Sequence, residues 1–203
     1  MTRVVLASSN PGKLRELTAL LSPLSLELTA QSALGIDSAA ETGTSFLENA
    51  LLKARHASQR ARLPAIADDS GLEVAALGGR PGVWSARFAG GGASDVENLH
   101  HLLSQLEGVP AGQRQARYQC VIVFLRHAAD EAPLIARGSW DGHIATAARG
   151  RGGFGYDPVF VPEGGRASAA ELTSDEKNAL SHRAQALAAL VAMLAAQGYI
   201  RRP

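Results

Sequence analysis

The chain of 203 residues has only one cysteine, and it lacks a long hydrophobic run. A single cysteine, Cys120, excludes a disulfide framework within the chain and favours a reducing compartment. No apolar run reaches the roughly 18 residues that a membrane span needs. The apolar part of the N-terminus is also too short for a signal peptide. We therefore expect a cytoplasmic protein with no membrane partner.

The chain also lacks a strong net charge. It has 20 basic and 19 acidic residues, for a formal net charge of +1. This balance argues against a nucleic-acid partner, because proteins that coat duplex DNA neutralise many phosphates at once. A local basic cluster remains free to bind one small anion. The 46% apolar and 19% charged composition is typical of a folded globular protein, and the length predicts a single domain over residues 1–203.

Apolar periodicity mixes strands and helices along the chain, which predicts an α/β fold. Strand patterns occur at residues 4–7, 24–30, 64–67, 72–77, 115–128 and 133–148. Helix patterns occur at residues 11–21, 45–62, 94–106 and 182–197. The section near 115–147 is expected to be antiparallel, with a turn at Asp141-Gly142. No repeat, linker or low-complexity tract divides the chain.

The first candidate site is a polar turn between a strand and a helix. A helix N-terminus offers free N–H groups and a positive dipole end, both of which favour a phosphate. A lysine in the first turn is unfavourable there unless an anion accompanies it. The spacing is not that of a P-loop, and an ordinary capped helix is the alternative. The residues concerned are Ser8, Ser9, Asn10, Pro11, Gly12 and Lys13.

The second candidate is a set of acids around the adjacent pair Asp68 and Asp69, with Glu41 and Glu48 nearby in the sequence. Neighbouring strand residues point to opposite faces, so the pair converges on one ion only if the chain turns at Ser70-Gly71. A site made of carboxylates, with no His or Cys ligand, suits Mg²⁺, and substrate phosphates often supply further ligands to this ion. A polar turn with solvated acids is the alternative. No His and Cys spacing indicates zinc.

Two further segments carry residues suited to a planar, anionic or carbonyl-rich ligand. Glycines let backbone approach a ligand, and an aromatic ring between them can stack on a base. Cations at a helix start favour an anionic or carbonyl group. A plain turn and a solvated helix end are the alternatives. The residues are Phe154, Gly155, Tyr156 and Asp157 in the first segment, and Lys177, His182 and Arg183 in the second.

Six motifs in order make the chain resemble the inosine triphosphate pyrophosphatase family. They are "SSNPGKLRE", "FLENALLKA", "ADDSGLEV", "PGVWSARFAG", "GGFGYDPVF" and "SHRAQAL". The resemblance implies an elongated mixed β-sheet flanked by helices, in two lobes around a central cleft. It also implies a Mg²⁺-dependent hydrolase, usually a homodimer, that cuts dITP, ITP or XTP to the monophosphate and pyrophosphate and so removes them from the nucleotide pool.

The resemblance also implies roles for individual residues. Asp69 matches the general base, and Ser70 matches a substrate contact. The turn from Ser8 to Lys13 matches the triphosphate site. Metal ligands are expected among Asp69, Asp68 and Glu41, although Ala40 stands where relatives can have another acid. The nucleotide contacts it implies are Phe154, Gly155, Tyr156, Asp157, Lys177, His182 and Arg183.

Three other functions remain open at this point. A nucleotide sensor would need no acidic pair. A phosphatase forming a phosphoaspartate generally uses an Asp-x-Asp spacing, whereas Asp68 and Asp69 are adjacent. A septum-inhibitor-like pyrophosphatase would act on other nucleotides. A homodimer, if formed, would have Trp84 as a candidate contact, with local packing of the Trp84 loop as the alternative.

Overall fold

The computed structural model describes residues 2–22, 24 and 26–200, which form a mixed six-stranded sheet flanked by helices. The strand order is β2-β1-β3-β4-β5-β6. Strand β1 pairs in parallel with β2 and β3, whereas β5 and β6 are antiparallel. The predicted α/β class is therefore confirmed. The strands are β1 (Thr2–Leu6), β2 (Leu26–Ala30), β3 (Ala65–Val74), β4 (Gln115–Leu125), β5 (Leu134–Ile144) and β6 (Phe160–Pro162).

Helices begin at polar residues whose side chains cap free backbone N–H groups. Asn10 caps the first helix, Ser45 the second and Ser94 the third, the last in a capping box with Glu97. The fourth helix has only 7 residues, too few for a recognisable apolar period, and the sequence prediction missed it. The helices are α1 (Pro11–Leu21), α2 (Phe46–Ala61), α3 (Asp95–Gln105), α4 (Ser174–Leu180) and α5 (His182–Ala196).

The chain divides into two compact units, and unit 1 comprises Met1–Asp69, Cys120–Gly138 and Arg183–Pro203. Its strands β1, β3 and β4 bury side chains on both faces. Even-numbered strand residues such as Leu6 and Ile66 pack in the apolar cluster that contains α1 and α5 residues. Odd-numbered residues pack in a second cluster with the alanines of α2. This alternation assigns the buried strand side chains of unit 1 to one helical layer or the other.

Unit 2 comprises Ser70–Gln119 and Ser139–His182. Its core is one apolar cluster built from the second half of β3, the start of β4, β6 and helix α3. Aromatic residues contribute much of this cluster, and Tyr118 and Trp140 both pack against Phe160, with centroid separations of 4.7 and 5.4 Å. The unit therefore has a core of its own.

The predicted turn at Asp141-Gly142 is wrong, and the turn considered at Ser70-Gly71 does not form, because strands run through both positions. Strand β3 continues through Ser70-Gly71, so pairing in the sheet outweighs the local turn preference of serine and glycine. Strand β5 likewise continues through Asp141-Gly142. Gly142 pairs with Pro162 of β6, and a Cβ atom there would lie 2.3 Å from the Val161 carbonyl oxygen. Glycine is needed at this position for close strand approach rather than for a turn.

Across the described ranges, no single helix combines the length and the apolar character required to cross a membrane. The consecutive helices α4 and α5 meet those two criteria only when they are counted together. Helix α5 buries Ala186, Leu187 and Leu190 in the apolar core of unit 1.

Candidate active site

The predicted anion-binding turn forms the N-terminus of α1 in unit 1. The Asn10 side chain accepts a hydrogen bond from the Lys13 N–H at 3.0 Å, and the Ser8 hydroxyl accepts one from the Asn10 N–H at 3.3 Å. Pro11 occupies the first turn, where its missing N–H costs nothing. Ser9 and Pro11 are exposed. The turn therefore has the helix-start geometry that the sequence predicted, and anion binding there stays a prediction.

Lys13 extends from this turn to Asp68 on β3. Its Nζ lies 3.1 Å from Asp68 Oδ2, and the Asp68 side chain is fully buried. Arg183, at the start of α5, donates to the same oxygen from Nε and Nη2 at 3.3 and 3.0 Å. Arg183 also donates from Nη1 to Glu16 on α1. Asp68 is thus held by two cations from two different helices.

The electrostatics of Asp68 favour its ionised form. Burial by itself opposes ionisation, but the charges of Lys13, Arg183 and Lys53 outweigh burial and hold the pKa of Asp68 well below its usual 3.8. Burial also lowers the pKa of Arg183, and the charge of Asp68 more than reverses that effect. Both groups are therefore charged at neutral pH, and each compensates the desolvation of the other.

Asp69 has a different set of partners, all from the segment around α2. Its Oδ1 accepts a hydrogen bond from Lys53 Nζ at 2.7 Å, and its Oδ2 accepts one from the Asn49 amide at 3.4 Å. Lys53 Nζ also donates to Glu41 Oε1 at 2.9 Å. The fully buried Asn49 accepts a hydrogen bond from the Gly43 N–H at 2.8 Å, which ties the 36–45 loop to this group.

Burial dominates the pKa of Asp69. It raises that pKa above the usual 3.8, and the nearby charges of Lys53 and Lys13 only partly oppose the rise. For Lys53, burial lowers the pKa, but the charges of Asp69, Asp68 and Glu41 outweigh it, and the net change is upward. Lys53 therefore stays protonated beside a carboxylate whose proton affinity is increased, as a general base requires.

Asp68 and Asp69 do not converge, since β3 does not turn between them. Asp68 shares the face of Ile66 and contacts α1 and α5, whereas Asp69 shares the face of Ala67 and contacts α2. Glu48 is engaged elsewhere: its carboxylate accepts a hydrogen bond from the Thr44 N–H at 2.6 Å, near the start of α2. The seven charged side chains of this region are named the ion-pair cluster; they are Lys13, Glu16, Glu41, Lys53, Asp68, Asp69 and Arg183.

The predicted metal ligands can be tested against this geometry. Within residues 2–22, 24 and 26–200, no group of three or more His, Cys, Asp or Glu side chains is arranged to hold a metal ion. Glu41 and Asp69 nevertheless both reach Lys53 Nζ, within 2.9 and 2.7 Å. Two convergent carboxylates fit Mg²⁺ when phosphate oxygens and water complete its shell. Asp68 is instead engaged by Lys13 and Arg183, and its role as a metal ligand stays a prediction.

The predicted loop in unit 2 covers residues 152–157 and is named the glycine-rich loop. Its Gly155 N–H donates to Asp95 of α3 at 2.8 Å, and the Tyr156 hydroxyl donates to the Ser85 carbonyl at 2.7 Å. Gly153 has φ of +69°, and a Cβ there would lie 2.0 Å from Asp157 Oδ2. The loop is thus held on several sides, and glycine is required where Asp157 approaches it.

Asp157 is buried and acts as the centre of this region. Its Oδ2 accepts hydrogen bonds from the Phe154 N–H at 2.8 Å and from Lys177 Nζ at 2.6 Å. Lys177 Nζ also lies 4.7 Å from the centroid of the Phe154 ring, within cation–π distance. The loop aromatic, the α4 lysine and the buried carboxylate therefore form one connected group.

His182 and Arg183 are adjacent in sequence but take different neighbours. The His182 ring stacks on Tyr118 in unit 2, with 4.6 Å between centroids and 7° between planes. Arg183 belongs to unit 1 and donates to Asp68 and Glu16. Ser70 follows Asp69 in β3 and is partly buried. As direct substrate contacts, all three residues stay predictions.

Three residues that contact the predicted site residues were not predicted from the sequence: Asn49, Lys53 and Tyr118. A signal existed for the first two, because positions i and i+4 share one face of a helix and both lie in the motif "FLENALLKA". Tyr118 had no such signal. It lies in a strand pattern that identifies only a buried residue, and its contacts come from distant segments.

The chain is similar to known proteins over nearly its whole length. The Ham1 family profile matches residues 4–193. A dITP/XTP pyrophosphatase of Pectobacterium atrosepticum is 58% identical over 192 residues, covering 94% of this chain and 97% of that protein. The counterpart of Methylococcus capsulatus is 59% identical over 194 residues, covering 96% of each. The solved structure of a HAM1 protein from Coxiella burnetii superposes with a TM-score of 0.88 at 46% identity, covering 97% of this chain and all of that one.

Proposed function

Because the chain belongs to the Ham1 family, we propose that it hydrolyses non-standard purine nucleoside triphosphates, namely dITP, ITP and XTP, to the monophosphate and pyrophosphate. This reaction would remove such nucleotides from the pool used for nucleic-acid synthesis. Relatives at 58 and 59% identity are named dITP/XTP pyrophosphatases. The observation that carries the proposal is Asp69, a buried carboxylate with a raised pKa beside the protonated Lys53.

The triphosphate would bind at the start of α1. The positive end of the α1 dipole and the Lys13 ammonium supply positive potential there, and Lys53, held by Glu41 and Asp69, supplies a second cation. Arg183 is held by Asp68 and Glu16, so its main task in this proposal is to orient Asp68. Asp68 in turn keeps the Lys13 ammonium near the helix start.

A divalent cation, Mg²⁺, is part of the proposal for an electrostatic reason. The ion-pair cluster contains four carboxylates and three cations, so it cannot by itself neutralise a triphosphate. Asp69 and Glu41 would hold the ion together with phosphate oxygens. When bound, Mg²⁺ neutralises phosphate charge and polarises the attacked phosphorus.

Asp69 would act as the general base. Its carboxylate takes a proton from a water molecule as the water oxygen bonds to the α-phosphorus, and the bond from that phosphorus to the bridging oxygen breaks. The electron pair leaves with pyrophosphate, whose charge Lys13 and Lys53 stabilise. Asn49 and Lys53 hold the Asp69 carboxylate in place during this step. The products are the nucleoside monophosphate and pyrophosphate.

The base would be read by the residues gathered around Asp157. The Phe154 ring offers a stacking surface, and Lys177 and His182 offer donors for the 6-oxo group of hypoxanthine or xanthine. Adenine has an amino group at that position, so its N–H donors would lie against the donors of the protein. Leaving these donors unpaired in a desolvated site costs binding free energy. Guanine shares the 6-oxo group, so its rejection depends on its 2-amino group.

A cytoplasmic location and a homodimer complete the proposal. The only cysteine, Cys120, is buried, and burial raises the pKa of its thiol to about 12, so the thiol is unreactive. A chain with one cysteine has no internal disulfide, which supports the proposal of a reducing compartment. Trp84 is 54% exposed and carries the Arg87 guanidinium 4.5 Å from its ring centroid, so it is available for a subunit contact. Sedimentation of the wild type and Trp84→Ala tests this: a monomeric wild type would contradict the dimer.

The decisive experiment measures pyrophosphate and phosphate release from dITP, ITP, XTP, dGTP and dATP with Mg²⁺ or with EDTA. We expect pyrophosphate from the first three, at least about tenfold slower turnover of dGTP and dATP, and no turnover in EDTA. Binding without product would indicate a sensor. Inorganic phosphate alone would indicate a phosphatase. Equal rates with all nucleotides, or preference for others, would contradict the proposed substrates.

A further inference from the structure

Tyr118, on strand β4, makes an aromatic stack that the proposed reaction does not yet explain. Its ring is nearly parallel to the His182 ring, with an interplanar angle of 7° and centroids 4.6 Å apart. A second contact holds the tyrosine itself: Phe160 packs against it at 4.7 Å with a 58° tilt. Tyr118 is only 7% exposed, so its position is determined by these neighbours. The stack therefore restricts rotation of the imidazole about its broad χ2 torsion.

The hydroxyl of Tyr118 makes a second connection, to Asp157 Oδ1 at 3.4 Å. That is a long hydrogen bond, and its own contribution is small. The bond matters because its acceptor is Asp157, whose other carboxylate oxygen accepts hydrogen bonds from Lys177 and from the Phe154 N–H. A phenylalanine would fill the apolar cluster equally well, yet it could not reach this carboxylate. Tyr118 thus contacts both His182 and the residue that orients Lys177.

We infer that Tyr118 is a positioning residue for base recognition, which sets the orientation of His182 through its ring and supports Asp157 through its hydroxyl. The inference rests on the proposed function, since it assigns His182 and Lys177 to the purine. Hydrogen-bond strength falls steeply with misalignment, so a freely rotating imidazole would bind the base more weakly and discriminate less between bases. Tyr118 contacts neither water nor phosphate in this role, so the chemical step should be little affected.

The test compares Tyr118→Leu, which removes both contacts, with Tyr118→Phe, which keeps the stack and removes the hydroxyl. For dITP, we expect KM to rise about tenfold in the leucine variant and about twofold in the phenylalanine variant, with kcat within about threefold of wild type. The preference for dITP over dGTP should fall about tenfold in Tyr118→Leu and in Tyr118→Met but not in Tyr118→Phe. Tyr118→Met is made in parallel, because a flexible thioether fills irregular cavities and preserves folding.

Leu102→Ala is the matched control, since Leu102 lies on α3 in the same apolar cluster. It should lower the melting temperature without changing KM or base preference. Unchanged KM and preference in both Tyr118→Leu and Tyr118→Met, or equal changes in Leu102→Ala, would overturn the inference.

A second readout does not depend on turnover. Proton chemical shifts of the His182 ring, measured without nucleotide, should carry the ring-current shift of Tyr118 in wild type and Tyr118→Phe and lose it in Tyr118→Leu. The same His182 shift in all three proteins would overturn the inference, even if dITP is hydrolysed. Wild type that shows the ring-current shift but releases no pyrophosphate from dITP would instead contradict the proposed function.

Discussion

Asp68 and Asp69 are adjacent in strand β3, but their carboxylates bind cations on opposite faces of the sheet. Asp68 lies 3.1 Å from Lys13 Nζ, and Asp69 lies 2.7 Å from Lys53 Nζ. At Asp68, burial is outweighed by the combined charges of the nearby cations, so the pKa is lowered. At Asp69, burial outweighs the nearby positive charges, so the pKa is raised. One residue is thus a permanent anion that organises cations, and its neighbour is a carboxylate suited to accept a proton.

Replacing Asp69 by asparagine is the direct test of the base. We expect kcat for dITP to fall by about 10² to 10⁴, the usual contribution of general acid–base catalysis. Affinity for a non-hydrolysable dITP analogue, measured by calorimetry without Mg²⁺, should change little, because Lys13 and the N-terminus of α1 remain. Turnover close to that of wild type would remove Asp69 from the role of base.

Replacing Asp68 by asparagine should act mainly on stability. The change leaves the buried Arg183 and the nearly buried Lys13 short of one anion, at a cost of about 3 kcal/mol in the free energy of unfolding. Urea denaturation at pH 7 measures this. In wild type, the contribution of ionised Asp68 is present above its unfolded pKa of about 3.8 and is lost only as the pH falls below it. Asp69→Asn is the neighbouring control, and equal losses in both variants would contradict the distinction.

The acid side of the pH–rate profile should report Asp69. Only the ionised carboxylate can accept a proton, so kcat/KM should fall as the pH drops through its pKa, which lies above the usual 3.8. Because kcat/KM reports the protein before Mg²⁺ and dITP bind, its midpoint, measured for dITP between pH 4 and 9, should exceed the value for an unperturbed aspartate. A profile that stays flat down to pH 4 would contradict the assignment.

Much of this architecture was predictable from local patterns. Caps and apolar spacing predicted α1, α2, α3 and α5, and the six ordered motifs predicted a family that the profile match over residues 4–193 confirms. The turn at Asp141-Gly142 was predicted wrongly and the one considered at Ser70-Gly71 does not form, since pairing with distant strands decides those conformations. The contacts of Asp68 with Lys13 and Arg183 could not be predicted from the sequence either, because the three residues are separated by up to 170 positions.

Lys53 should control the pKa of its partner as well as phosphate charge. Its positive charge opposes the upward shift of Asp69, so Lys53→Met should raise the pKa of Asp69 further and move the acid limb of kcat/KM to higher pH. At pH 7 we expect kcat/KM to fall about 10²-fold. Lys53→Arg keeps the charge and should leave the limb near its wild-type position. Arg60→Met removes an exposed cation from the same helix and should change neither the acid limb nor kcat/KM at pH 7. An acid limb that stays at the same pH in Lys53→Met would contradict the effect of Lys53 on the pKa of Asp69.

Gly142 tests whether close strand approach, rather than a turn, requires glycine in β5. Alanine would place its Cβ 2.3 Å from the Val161 carbonyl and 2.8 Å from the Phe160 ring, so β6 must move. We expect Gly142→Ala to lower the free energy of unfolding by about 1 to 3 kcal/mol, measured by urea denaturation. Gly112→Ala, where the added Cβ meets no atom within 4 Å, should be nearly neutral. Because Phe160 also packs against Tyr118, displacement of β6 should raise KM for dITP more than it lowers kcat. A Gly142→Ala protein as stable as wild type would contradict the steric explanation.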